Sequence, residues 1–358
     1  MKSIVLTLFA ILWANISYTQ TTKKEYDYVG YYTEGLAKVK LDGKYGFIDR
    51  NGKEIIQLKY DDAQDFNESH AAVKLNGKYG FINKEGREIT PCQYDYVWTF
   101  CNGRAIVKLA DRYGFIDKNG KEVVPLKYDG AGHFRESSRA MVKLAGKCGF
   151  IDQYGKEIIS LKYDDAGDFI NSRARVKLAN KYGFINENGD EVIPLKYDDA
   201  GDFNNTRVWI KLADKYGFIN EKGKEITSIK YDDIKDFQEN RAIVKLSNKY
   251  GFIDENGKEI IPTKFDHVNQ FNSMKSTIVI LNGKFLLIDR NGKILSREYD
   301  YADKGFACSC IRVRLGNKWG YINEKGKEII PLKYEDAGMF QNCRALVTLD
   351  GKKFYIYR

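Results

Sequence analysis

The sequence predicts an all-β fold: a tandem array of about ten 34-residue units, each a three-stranded β-meander. Three observations carry the prediction. An aromatic residue, usually followed by Gly, then an aromatic and an aliphatic, recurs every 34 or 35 residues, from Tyr45-Gly46-Phe47-Ile48 through Tyr113-Gly114, Tyr182-Gly183 and Tyr250-Gly251 to Phe354-Tyr355. The runs between motifs alternate apolar and polar residues, the period of a strand. Asn-Gly or Asp-Gly pairs punctuate them, as at Asp42-Gly43, Asn51-Gly52, Asn119-Gly120 and Asn282-Gly283, where a type I′ hairpin turn asks for positive φ at both central residues.

In chain order, residues 1–20 stand apart. Lys2 precedes an apolar run from Ile4 to Ala14 and a short polar stretch ending at Gln20, the layout of a secretory signal peptide. About 20 apolar residues are needed to span a bilayer, so the reading is cleavage, with the mature chain starting near residue 20. Residues 21–358 then form a single repeat domain with no further membrane span, and the first cysteine, Cys92, is too late to anchor a lipid. Export to a periplasm or out of the cell is expected.

Composition agrees with a folded chain: 43% apolar and 14% aromatic residues with five prolines supply a core that a disordered segment lacks. The formal charge of +9 falls to +8 without Lys2, since residues 1–20 hold no other charged residue. Lys recurs in register at 40, 74, 108, 143, 177, 211 and 245, and Asp at 61, 95, 129, 164, 198, 232, 266 and 300. Columns of opposite sign read as solvated surface, so no nucleic-acid partner is expected.

Each unit follows one plan. In residues 104–134, Arg104 to Leu109 alternates, Tyr113 to Asp117 alternates, Asn119-Gly120 turns, and Lys121 to Tyr128 forms a third strand. Aligning Ala37, Val39 and Leu41 with Tyr45 and Phe47 and with Ile56, Leu58 and Tyr60 makes one apolar face, which puts the aromatic column in the core and leaves Lys38, Lys40, Lys44, Gly46 and Lys59 opposite. All five prolines, Pro91, Pro125, Pro194, Pro262 and Pro331, stand eleven residues after a motif glycine. Proline donates nothing to a ladder, so the third strand is an edge or bulges there. A loop then leads to a phenylalanine (Phe66, Phe134, Phe169, Phe203 and their equivalents), read as the plug between units.

The pattern resembles the WG repeat family, named for the Trp-Gly pair kept here in Lys318-Trp319-Gly320-Tyr321-Ile322-Asn323. Gly326-Lys-Glu-Ile-Ile-Pro-Leu-Lys-Tyr334 and similar copies carry the resemblance across residues 26–358. Most units hold Tyr in place of Trp, and the unit at Phe285-Leu286-Leu287-Ile288 has lost the glycine. The resemblance implies β-rich repeat modules without a general chemistry. Terminal fragments that complement each other fit a sealed ring or an open superhelix; ten short units exceed the usual 4 to 8 propeller blades, so the open solenoid is favoured.

Functional groups are sparse. His70, His133 and His267 replace Arg, Asp and Asp of other units, each in a different register, and no nucleophile elbow, zinc helix or phosphate loop is present. No enzyme activity, catalytic residue, cofactor or metal is expected. The Asp sets at 61, 62, 65 and at 164, 165, 168 match neither common calcium loop, and Asp favours turns through its own backbone. The six cysteines ignore the repeat, but Cys343 aligns with Ser309, one unit earlier, so either Cys308 or Cys310 can lie near it across a unit boundary, with Cys310 and Cys343 the candidate disulfide. Repetition without chemistry suggests a protein interaction scaffold in the cell envelope or outside the cell, its protein partner unspecified. The alternative is a carbohydrate or cell-wall polysaccharide binder using Trp98, Trp209, Tyr31 and Tyr32, aromatics outside the core columns. Trp209 stands where other units hold Ile106 or Ile243, so it reads as a wedge between units or as an exposed ring.

Overall fold

The computed structural model describes residues 25–358 apart from 136–137 and 272–274, so the expected signal peptide, residues 1–20, lies outside the described residues. The chain divides into two compact units, one ending at Asp95 and the other running from Tyr96 to Arg358.

The first unit holds two antiparallel sheets in simple sequence order. One contains β1 (Tyr28–Thr33), β2 (Leu36–Leu41), β3 (Lys44–Asp49) and β4 (Glu54–Tyr60); the other contains β5 (Asp62–Ala63), β6 (His70–Leu75), β7 (Lys78–Asn83) and β8 (Glu88–Tyr94). Each sheet therefore has four strands where the sequence predicts three. In the first sheet the extra strand is β1, paired to β2; in the second it is β5, which comes from the stretch read as a loop, with Ala63 paired to Val73. Two residues are too few to show alternation. A single residue, Asp61, separates β4 of one sheet from β5 of the next.

Among the described residues the second unit repeats this plan in eight sheets, from Tyr96–Tyr128 to Asp336–Tyr357. Three of them keep only three strands, those built on Lys215–Asn220, Lys284–Asp289 and Lys352–Tyr357. The sheet with Leu286 in place of the motif glycine is one of these: Phe285 pairs with Tyr299, fourteen residues on, where Tyr250 pairs with Phe265, fifteen residues on.

The single apolar face expected from the sequence is corrected by the hairpin register. The turn at Asp42-Gly43 pairs Leu41 with Lys44, which sets Lys40 opposite Tyr45, Lys38 opposite Phe47 and Val39 opposite Gly46. Residues opposite each other share a face, so Phe47 and Val39 point in opposite directions. Both faces are buried. Leu36, Phe47, Ile56 and Tyr60 form a bulky face that packs on Ala71, Val73 and Ile82 of the next sheet, while Ala37, Val39 and Ile48 form a smaller apolar face behind. In the second unit Phe115, Val124 and Tyr128 pack in the same way on Ala140, Val142 and Ile151. The aromatic that opens the motif, as at Tyr45, Tyr113 and Tyr182, is only half-buried, so the core column is the phenylalanine two residues later.

The predicted plug is present. Phe66 meets Phe47 edge to face at 4.8 Å, and Phe134, Phe169, Phe203 and Phe271 meet Phe115, Phe150, Phe184 and Phe252 at 4.7 to 5.1 Å. Burying such a ring contributes about 1.5–3 kcal/mol, and the edge-to-face pairing adds about 0.5–1.5 kcal/mol.

The motif glycine and the proline register are two sides of one bulge. Opposite Gly183 the third strand is wider by two residues: Tyr182 pairs with Tyr197 and Phe184 with Ile193. Its backbone arches over the glycine, where a Cβ would lie 2.6 Å from the Ile193 carbonyl oxygen and 2.8 Å from the Leu195 nitrogen. Pro194 sits exposed in that arch, and Pro91, Pro125, Pro262 and Pro331 sit in the same place. The glycine turns differ among themselves. Asp42-Gly43 has positive φ at both residues, whereas at Asn51-Gly52 only the glycine does, and Asp49 accepts hydrogen bonds from the amides of Asn51 and Lys53 at 2.9 Å.

Candidate functional site

The repeated charged residues are occupied by the architecture. Asp198, at the one-residue hinge between sheets, accepts from Lys181 Nζ at 2.6 Å and from the Ala213 amide at 2.7 Å. Asp61, Asp164 and Asp232 make the same pair of bonds with Lys44 and Asn76, Lys147 and Ala179, and Lys215 and Ser247. The lysine hydrogen bond, helped by the turn amide, holds these carboxyls below the usual range. The lysine column lies over tyrosine rings: Lys40, Lys74, Lys177 and Lys245 stand 5.0 to 5.4 Å from the ring centres of Tyr45, Tyr79, Tyr182 and Tyr250. The two columns are thus inter-strand and inter-sheet ties.

What varies from sheet to sheet is one cross-strand pair. Just after each two-residue strand an amide donates to a carbonyl eight or nine residues on: Trp98 to Ile106, Gly132 to Met141, Gly167 to Arg175, Gly201 to Trp209 and Asp303 to Arg312, at 2.8 to 3.1 Å. The backbone bond is constant, and the side chains run through apolar, cationic, acidic and aromatic. In the glycine-bearing pairs the bulk falls on the partner. Where Trp209 is large, Gly201 is bare, and a Cβ on Gly201 would run into the indole nitrogen.

Trp98 and Trp209 therefore occupy the two members of this pair in different sheets. Trp98 is half-buried against Tyr96 at 4.4 Å, Tyr113 at 6.1 Å and His133 at 6.1 Å. Trp209 packs on the cluster of Phe218, Tyr231 and Val244 and also lines a groove of about 500 Å³ with Tyr216, Asp233, Lys235, Asp236 and Gln270. Wedge and lining are one ring's two sides. Burial, and next the Asp202 carboxylate, push the Asp236 carboxyl up. Tyr31 and Tyr32 belong to the first unit; Tyr31 is 91% exposed, and Tyr32 donates to the Asp49 carbonyl at 3.2 Å with Arg50 over its ring. Within the second unit Trp98 and Trp209 lie in different sheets, and in the first Tyr31 and Tyr32 share one strand.

Sequence reasoning missed the pair position and its most elaborate member. Asp303, nearly buried, accepts from Arg312 at 3.0 and 3.2 Å and from the Tyr301 hydroxyl at 3.1 Å, while Arg312 stacks on Trp319 at 4.8 Å. Glycine at 132, 167, 201 and 338 with a bulky residue eight or nine positions later was the available signal.

The candidate disulfide is also corrected. Cys310 is buried with its thiol on the Ala307 carbonyl at 3.1 Å, and the sulfur beside Cys343 is that of Cys308, at 3.0 Å. Cys310 begins a strand and points into the sheet, whereas Cys308 sits in the turn before it. Cys148, standing for the usual tyrosine, is buried in its sheet opposite Lys143 and Tyr163.

His70 bonds the Glu68 carbonyl at 2.7 Å, and burial lowers the proton affinity of His133 beside Trp98. Among the described residues no three His, Cys, Asp or Glu side chains converge as a metal site, and no helix is long and apolar enough to cross a membrane.

Among solved structures, the chain is similar to a eukaryotic initiation factor (10% identity, 89% of this chain and 97% of that one, TM-score 0.42). It is also similar to PorZ, a surface component of the type-IX secretion system of Porphyromonas gingivalis (11% identity, 84% and 52%, TM-score 0.29), and to Hsv2p of Kluyveromyces lactis (8% identity, 63% and 92%, TM-score 0.34). No curated protein matches the chain. The repeat described as WG containing repeat matches at residues 22–45, 45–79, 79–113, 113–148, 149–182, 182–216, 216–250, 250–285, 287–319 and 319–352. With that repeat running through nearly the whole sequence, the chain belongs to the WG repeat family.

Proposed function

We propose that this protein is a non-enzymatic scaffold that binds a protein partner through the column of variable pairs. One observation carries the reading: the same backbone hydrogen bond recurs sheet after sheet, from Trp98–Ile106 to Gly338–Leu346, while the side chains attached to it never settle on one chemistry. A constant frame with a changing readout is how repeat arrays recognise extended partners. The residues that do repeat, the plug phenylalanines and hinge aspartates, are occupied internally. The test is a photo-crosslinking residue at Met141 or Leu346, with Tyr154, 72% exposed, as the control position. A discrete protein crosslinked from 141 and 346 and absent from 154 supports the scaffold; equal yields at all three positions, or none, refute it.

A polysaccharide ligand is the second reading, favoured by the groove where Trp209 and Tyr216 meet Asp233, Asp236 and Gln270. Rings stack on sugar faces while carboxylates and amides accept from hydroxyls. Saturable pelleting with insoluble cell-wall polysaccharide, lost in Trp209→Ala, would move the reading to this alternative.

Export, to a periplasm or beyond, rests on Lys2 and the apolar run Ile4 to Ala14. An open solenoid, favoured by ten matched repeats against about 4 to 8 blades for closed rings, is part of the same proposal. Small-angle scattering should give a radius of gyration well above the roughly 20 Å of a compact chain this long; a value near 20 Å would favour closure.

A further inference from the structure

Among the described residues of the second unit, the two-residue turn that precedes the second strand of a sheet touches its counterpart in the next at Asn171 and Asn205 and again at Cys308 and Cys343. The first position reaches forward: Asn102 Nδ2 donates to the Phe134 and Arg135 carbonyls at 3.0 and 2.8 Å, and Asn171 Nδ2 donates to the Asn205 carbonyl, in the next turn, at 2.6 Å. Cys308 holds this first position, with φ of 47°, and Cys343 holds the second position of the following turn, with φ of 57°. Amide ties elsewhere are replaced here by two sulfurs 3.0 Å apart. Cys343 is exposed and Cys308 half-buried, so a reagent can reach the pair. Arg358 closes over it: its amide donates to the Cys343 carbonyl at 2.9 Å and its guanidinium bonds the Cys308 carbonyl. The hydrogen bond with Cys308 pushes the Cys343 thiol up, and the Arg358 guanidinium pulls the other way, toward the thiolate that exchange requires.

We propose that Cys308 and Cys343 form a thiol–disulfide pair that staples the sheet of Cys310–Leu315 to the sheet of Arg344–Leu349. The oxidant is a second disulfide, carried by a small molecule or by an oxidoreductase. The Cys343 thiolate attacks it, forming a mixed disulfide and releasing one thiolate. Cys308 then attacks Cys343 Sγ, expels the second thiolate and completes the bond. Both thiol protons pass to the released thiolates; the pair is oxidised by two electrons and the reagent disulfide is reduced. The sulfurs need to approach by only about 1 Å to reach bonding distance. The bond closes a 35-residue interval, which should raise the unfolding midpoint by roughly 5 °C. Cys310, turned into the sheet, takes no part.

Reduced protein is treated with oxidised glutathione and digested without reductant, then analysed by mass spectrometry. A Cys308–Cys343 crosslink, a mass loss of two hydrogens and a raised midpoint reversed by dithiothreitol are expected. Cys310→Ser should behave as the wild type, while Cys308→Ser should stop at a glutathione adduct on Cys343. A Cys310–Cys343 crosslink, or glutathione on both Cys308 and Cys343 with no crosslink, overturns the proposal. Use of the bond in the cell rests on the export reading, and the two are separable. With thiols trapped at harvest, a closed pair supports both. A pair reduced in cells but closed by glutathione in vitro refutes export and leaves the pairing standing.

Discussion

Gly183→Ala should be among the most damaging single-methyl additions in this chain. The new Cβ would sit 2.6 Å from the Ile193 oxygen and 2.8 Å from both the Pro194 carbonyl carbon and the Leu195 nitrogen, all backbone atoms that cannot rotate aside. Ordinary contact is near 3.4 Å, so the arched strand must withdraw by about 0.7 Å. That loosens the hydrogen bonds flanking the bulge, about 1 kcal/mol for each of two, and overpacks the strand pair by about 1–3 kcal/mol. Alanine returns about 0.4–1 kcal/mol by restricting the unfolded chain. The net loss is about 2–4 kcal/mol, and with roughly 2 cal/mol/K of unfolding entropy per residue over the folded chain, the midpoint should drop by roughly 3–6 °C. Two controls grade the effect. Gly217 meets its nearest atoms, Ile229 Cα and Cγ1, at 3.1 Å, so alanine there should cost under about 1 kcal/mol. Gly305 has nothing within 4 Å of an added Cβ, and alanine there should be neutral or slightly stabilising. Thermal and urea unfolding followed by circular dichroism read all three. The reasoning fails if Gly183→Ala melts within about 1 °C of the parent, or if Gly305→Ala falls as far.

The hinge aspartates make stability fall in acid. Their folded proton affinity is depressed, first by the lysine hydrogen bond, so their contribution is present above the unfolded carboxyl value near pH 4 and is lost as pH falls through the folded value. Asp198→Asn should flatten the midpoint against pH between 5 and 2.5, and an unchanged slope would reject the assignment. Phe203→Ala removes a buried plug and should cost about 3–5 kcal/mol by urea titration. Asp303→Ala leaves the half-buried Arg312 without its carboxylate and should cost about 3–5 kcal/mol; adding Arg312→Met should recover part of it, and a double variant no better than the single would argue against the charge pairing. Trp209→Ala leaves Gly201 facing a void and should destabilise by about 1–3 kcal/mol while opening the groove.

The site was less legible in the sequence than the fold because its marker is variation. A reader following what repeats finds Tyr45, Phe47, Asp61 and Phe66, and these hold the sheets together. The pair position carries Trp98 in one sheet, Gly132 in the next and Asp303 later, and no residue type marks it until the hydrogen bond to the opposite strand is known. The choice of Cys308 over Cys310 was hidden for a related reason. Alignment places Ser309 level with Cys343, but the first position of one turn reaches the second position of the next, and that offset belongs to the stacking.

The sequence by itself determined the repeat, the strand alternation, the proline bulge and the phenylalanine plug, because each follows from local chemistry: a period of two, a missing amide, a ring too large to leave in water. Tertiary structure alone decided the fourth strand, the burial of both faces and the register that sets Lys38 beside Phe47 and Val39 beside Gly46. Those depend on which residue meets which across a turn or a sheet boundary. A shift of one position there reverses every face while leaving the alternation unchanged.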